Sequence, residues 1–235
     1  MSKRNIGANE IIDINFFEKI SQSSDLSDEE KSGFSAVYRA DTIDEEVDVL
    51  VSHVLSHTKG GERLLDIGCG CGGFPKLFYP KILDKIEVTA LDTKNQIKNL
   101  SSAFKHTRLS FQKANFMTMD EHLFNHKFEI VLLNSTIQYL VATSTISEII
   151  GKLTSIVTDE AIIYITDVPN YDLAKNIYRH NWRGISKSNS GLIGDLQIAE
   201  IDHCLNQHSF YRMPDLDSPC KAVRARMNYA WKRGL

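Results

Sequence analysis

Asp66, Gly68, Gly70, Gly73 and Asp92 are the residues of this chain whose types and spacing could do chemistry together. Glycines at short intervals let a backbone approach a ligand closely, because no Cβ stands in the way. Carboxylates on either side accept hydrogen bonds from hydroxyls and attract cationic groups. An apolar run, Leu64 to Ile67, leads into the glycines, and a helix-compatible segment follows them. Strand, tight loop and helix in that order form the first βα unit of a nucleotide-binding sheet.

The glycines at 68, 70 and 73 satisfy G-x-G-x-x-G, and Asp92 lies roughly 20 residues further on. By glycine spacing alone, NAD and S-adenosylmethionine (SAM) fit equally. Asp66 separates them. It ends the strand beside the helix N-terminus, where a dinucleotide would place its pyrophosphate. A carboxylate there repels phosphate and attracts the ammonium and sulfonium of SAM, directly or through water. The alternative is an ordinary glycine-rich turn with Asp66 as a helix cap.

Leu64 to Gly73 resembles motif I of the class I SAM-dependent methyltransferases, a seven-stranded Rossmann-like family. Three later segments resemble that family in order and spacing, and the likeness covers about residues 62 to 168. Val88–Asp92 resembles its second strand, whose terminal acid binds both ribose hydroxyls. Phe111–Phe116 resembles the third strand and the loop that edges the adenine, with Asn115 where the family often has Asp. Phe128–Ser135 resembles the fourth strand, whose end lies under the transferred methyl. The resemblance implies a cofactor site made by Asp66, Gly68, Cys69, Gly70, Asp92, Thr93, Asn115, Phe116, Asn134 and Ser135.

The elements that must position these residues alternate along the chain. Helical spacing of Val47, Leu50, Val51, Val54 and Leu55 predicts a helix over Asp41 to His57, with Thr42 and Glu45 as a capping box. Strands are expected at 63–67, 87–91, 109–112, 128–133 and 161–166, and helices at 74–78, 94–104 and 145–157. Apolar strands separated by helices imply a mostly parallel sheet covered on both faces. The resemblance adds an antiparallel last strand from a hairpin of His208–Met213 and Lys221–Trp231, although Ala222 to Lys232 also tolerates a helix. The expected fold is therefore a doubly wound α/β domain over residues 58–235. Residues 1–57 form a helical arm that caps the acceptor site.

The chain has 235 residues, 42% hydrophobic and 24% charged, with a formal charge of −3. Such a composition suits a soluble globular protein and gives no general attraction to nucleic acid. No apolar stretch reaches the ~20 residues of a membrane span. The four cysteines, at 69, 71, 204 and 220, lack the paired spacing of common zinc sites. Reduced thiols, with no apolar leader behind Met1–Asn5, point to a cytoplasmic protein without a bound metal.

Methyl transfer from a sulfonium is an in-line displacement that rewards alignment and exclusion of water. A hydroxyl acceptor also needs a base for its proton. Asp167 ends the fifth strand on the same edge as Asp66 and Asp92, and with His180 it is the expected base. Gln138, Tyr139, Tyr171, Arg179 and Trp182 supply aromatic, cationic and polar groups for an acceptor. Asn134 and Ser135 read equally as ligand contacts or helix caps. The His53–His57 pair reads more simply as surface histidines. Gly184 to Gly194, rich in Ser and Asn, is expected to be a lid.

These features lead to a SAM-dependent methyltransferase acting on a small-molecule or carbohydrate acceptor. By resemblance it is an O-methyltransferase of bacterial polysaccharide or natural-product biosynthesis. An RNA methyltransferase using the basic tail Lys221 to Arg233 is one alternative. A SAM-binding protein without catalysis and an NAD-dependent oxidoreductase are the others.

Overall fold

The computed structural model describes residues 17–18, 21–24, 31, 43–141, 143–166 and 226–228. Helix α1 (Ile43–Ser56) precedes strand β1 (Arg63–Ile67), helix α2 (Gly73–Ile82) and strand β2 (Glu87–Asp92). Helix α3 (Lys94–Ala103) and strand β3 (Leu109–Lys113) follow, then a 3₁₀ turn (Glu121–Leu123) and strand β4 (Phe128–Asn134). The short helix α4 (Ile137–Val141), helix α5 (Ile146–Ile156), strand β5 (Val157–Thr166) and strand β6 (Arg226–Asn228) complete the described elements.

The sheet order is β3-β2-β1-β4-β5-β6, and every neighbouring pair is parallel. The chain winds outward from β1 to β3, then returns to the other side of β1 with β4. That reversal opens a crevice beyond the carboxyl end of β1, where sheets of this kind take ligands.

Alternating side chains of the buried strands feed two cores, one on each face. Leu64, Val88 and Ala90 pack with Val47, Leu50 and Val54 of α1 and with Phe78, Tyr79 and Ile82 of α2. Leu65, Ile67, Val131 and Leu133 pack on the other face with Ile149, Leu153 and Ile156 of α5. Val47 and Val54 have no exposed surface, and burial of such side chains stabilises the fold by about 1.5–3 kcal/mol each. At the edge away from the crevice, Arg63 donates from Nε and Nη2 to the two carboxylate oxygens of Glu129, tying β1 to β4.

One expectation needs correction. The strand at Arg226–Asn228 runs parallel to β5, with Ile162 opposite Arg226, where an antiparallel strand was expected. The long connection from Thr166 to Arg226 permits that direction, since a parallel return needs a crossover of a dozen residues or more. The described sheet has six strands, and His208–Met213 lies outside the described residues. Thr145 and Glu148 form a reciprocal capping box at the start of α5. Thr42, the cap expected for α1, lies outside the described residues. Among the described residues no helix is long and apolar enough to cross a membrane.

Candidate cofactor and active site

The ends of β1, β2, β3 and β4 converge on the crevice. The turn after β1 is held against β2, because Leu91 O accepts from Gly68 N at 2.8 Å and from Cys69 N at 3.3 Å. Gly68 has φ +73°, a left-handed conformation that favours glycine. A Cβ there would lie 2.5 Å from Thr136 Oγ1 and 2.6 Å from Thr136 Cγ2, so glycine also lets the loop after β4 close on this turn. Thr136 Oγ1 in turn donates to Asn134 O at 3.0 Å.

Asp92 is fastened from both sides. Its Oδ2 accepts from Gly70 N at 2.7 Å, and its Oδ1 accepts from Thr93 N at 2.6 Å. A carboxylate oxygen carries two lone pairs, so each keeps one for a further donor. Burial pushes the Asp92 carboxyl up to about 6, with Gly70 and Thr93 opposing and the charge of Glu18 adding.

Asp66, expected from the sequence to attract the ammonium and sulfonium of SAM, is buried. It is 1% exposed and its Oδ2 accepts from Tyr79 Oη on α2 at 2.8 Å. Burial pushes it up to about 7, against the pull of the Tyr79 hydroxyl and with the nearby Asp92 charge adding. The Cys69 thiol, also buried, is pushed well up by burial and by both carboxylates. Cys69 and Cys71 are both buried.

Asn115, after β3, folds its own loop: its Oδ1 accepts from Met117 N at 3.0 Å and its carbonyl accepts from Met119 N at 2.9 Å. Phe116 is 3% exposed and sits in the core with Leu91 and Met119. At the end of β4, Asn134 Oδ1 accepts from Thr166 Oγ1 at 2.8 Å, and Ser135 N donates to Thr166 O at 3.0 Å. Ser135 has φ +57°, which is strained for a residue with a Cβ. Strain of this kind, of order 1–3 kcal/mol, collects at functional sites. Tyr139, on α4, meets the ring of Phe17 edge-on at 4.9 Å.

The structure thus brings Asp66, Gly68, Cys69, Gly70, Asp92, Thr93, Asn115, Asn134 and Ser135 to one edge of the sheet. Asp167, Tyr171, Arg179, His180 and Trp182 lie outside the described residues, as do the side chain of Gln138 and the 184–194 segment. Just beyond α1, His57 Nδ1 lies 2.8 Å from His53 O and 3.3 Å from Tyr164 Oη. Sequence reasoning missed Tyr79, Thr136 and Glu18. Thr136 directly follows the polar pair Asn134–Ser135, a signal that was available. The other two act through tertiary contacts that no local pattern announces.

Residues 58–213 match the family model of a methyltransferase domain. The match spans most of the sequence, and the chain belongs to this family, with the class I Rossmann-like sheet of the SAM-dependent methyltransferases. The plantazolicin methyltransferase BamL, solved with a triazolic desmethylPZN analogue and SAH, is similar in structure. It shares 17% identity at TM-score 0.53, over 83% of this chain and 65% of its own. The related plantazolicin methyltransferase BpumL, solved with SAH, matches at 16% identity and TM-score 0.51, over 82% of this chain and 67% of its own. The CurJ carbon methyltransferase matches at 17% identity and TM-score 0.44, over 52% of this chain, and the chain spans 33% of its length. At these identities the likeness is one of fold. Among curated proteins none matches the chain significantly.

Proposed function

We propose that the chain transfers a methyl group from SAM to a small-molecule or sugar-like acceptor, as an O-methyltransferase. The observation that carries the cofactor reading is Asp92, at the end of β2, with one oxygen held by Gly70 N and the other by Thr93 N. Two parallel acceptor positions, one on each oxygen, suit a vicinal diol such as a ribose. SAH in the BamL and BpumL structures supports the same cofactor.

The donor set fits the rest of SAM as well. Gly68, Cys69 and Gly70 offer backbone to the methionine part, and Asn115 and Phe116 border the adenine. Asp66 is a buried carboxyl pushed up to about 7, and a cation placed near it would favour its charged form.

SAM supplies an activated methyl on a positive sulfur. The chain's own residues have to align and enclose. Asn134 and Ser135, locked to Thr166, form a rigid floor at the end of β4. Gln138 and Tyr139 on α4 border the acceptor side. Asp167 or His180 takes the acceptor's proton, and Tyr171, Arg179 and Trp182 hold its ring or anionic group. Stand-alone bacterial polysaccharide or natural-product enzymes are the setting that the resemblance suggests.

Calorimetry on Asp92→Ala tests the cofactor reading. A loss of SAM affinity of tenfold or more, about 1.4 kcal/mol, is expected. Unchanged affinity removes Asp92 from the site. The acceptor is tested by a methyl mass gain on candidate hydroxylated metabolites, and a gain on nitrogen or carbon would overturn O-methylation.

A further inference from the structure

The arm residues Phe17, Glu18 and Ser21 reach the crevice. Both carboxylate oxygens of Glu18 accept from Asn95 N at 3.2 Å, and Thr93 Oγ1 donates to Glu18 Oε2. Asn95 is the second residue of α3, whose N-cap Thr93 makes no side-chain cap of its own. Glu18 therefore does, from far away in sequence, what an N-cap side chain does locally. The seam continues as Gln96 Nε2 donates to Phe17 O at 3.2 Å and Asn99 Nδ2 donates to Ser21 O at 2.7 Å.

On the opposite flank, the ring of Phe17 meets Tyr139 of α4. Helix α3 follows β2, helix α4 follows β4, and β1 lies between those two strands. The strap thus touches the helices that follow the two strands flanking β1, whose end carries the Gly68–Gly72 turn. It also sets the Glu18 carboxylate close enough to Asp92 to act on it. Two carboxylates near one turn repel each other, and hydroxyl donors from a ribose at Asp92 offset that repulsion. Closure of the strap and binding of the ribose therefore favour each other.

We propose that Glu18 is a cofactor-positioning residue, and that the strap carrying Phe17, Glu18 and Ser21 latches the SAM site rather than covering the acceptor alone. The proposal rests on the SAM reading above. Glu18 holds Thr93 and the start of α3, and through them keeps Asp92 set for the ribose. Release of the demethylated product, S-adenosylhomocysteine (SAH), then requires the strap to part from α3 or from α4.

Stopped-flow displacement of SAH from the full chain tests this with wild type, Glu18→Ala, Glu18→Gln and Phe17→Ala. Glu18→Ala and Phe17→Ala should each raise the SAH dissociation rate about tenfold, the usual route by which lost contacts weaken binding. Glu18→Gln, which keeps an acceptor for Asn95 N, should fall between them and wild type. Glu18→Gln should also move the acid limb of SAH binding to lower pH, because the carboxylate that raises Asp92 is gone. Asp66, Cys69, Thr93 and Gly70 N, the other groups facing Asp92, are unchanged in that variant. A cap that merely stabilised α3 would shift melting and the acid limb but leave the SAH dissociation rates alone. Wild-type dissociation rates in both Glu18→Ala and Phe17→Ala would overturn the strap while leaving the cofactor reading standing. Failure of the wild-type chain to bind SAH would overturn the cofactor reading, and the strap with it.

Discussion

Tyr79 on α2 donates its hydroxyl to Asp66 at the end of β1 across 2.8 Å, and neither side chain reaches solvent. The first acid of the glycine motif is therefore held from within the protein. Tyr79→Phe leaves Asp66 without this donor and should destabilise the fold by about 1–3 kcal/mol. It should also move the Asp66 carboxyl further above 7, since the Tyr79 hydroxyl now pulls it down. Denaturant melts between pH 5 and 8 check the first effect, and carboxyl titration by NMR checks the second.

Both motif acids are raised on folding, Asp66 to about 7 and Asp92 to about 6, from an ordinary value of 3.8. The folded chain then binds more protons than the unfolded chain between pH 4 and 7. Their contribution to stability is fully present below pH 4 and is lost as pH rises through 6 and 7. SAM, carrying positive charge, should reverse this locally and release protons when it binds near pH 6. Calorimetry in buffers of different ionisation enthalpy measures the release. It should be smaller for SAH, which lacks the sulfonium charge, and smaller again in Asp66→Asn. Equal release for SAM and SAH would separate Asp66 from the sulfonium.

Gly68→Ala meets two obstacles, a φ of +73° and the Thr136 side chain. It should cost roughly 2 kcal/mol or more. Adding Thr136→Ala removes Oγ1 and Cγ2 but not the backbone strain. The double variant should recover part of the loss, and the two changes should be clearly non-additive. Urea midpoints of the four proteins give the coupling, and simple additivity would mean that the loops do not meet as described.

Phe116→Ala opens a cavity in the core beside Leu91 and Met119, and should cost about 3–5 kcal/mol. Its effect on SAM affinity is therefore best read from Phe116→Leu, which keeps most of the volume. If the ring also borders the adenine, Phe116→Leu should weaken adenosine more than methionine in competition assays. Equal effects on both would confine Phe116 to the core.

Sequence alone was enough for the strand–turn–helix that begins at 63, the parallel sheet up to β5 and the placement of Asp92 at a strand end. Those features are local: near-continuous apolar runs, glycines where φ is positive, and an acid that closes an apolar strand. Only the tertiary structure decided that Asp66 turns inward to Tyr79, that Thr136 fills the space left by Gly68, and that Glu18 caps α3. Each depends on which elements become neighbours when β4 returns beside β1. Side chains from distant helices then meet at contacts whose energies no nearby residue encodes. The direction of the last strand was undecidable for the same reason, because one residue pattern pairs in either direction until its neighbour is known.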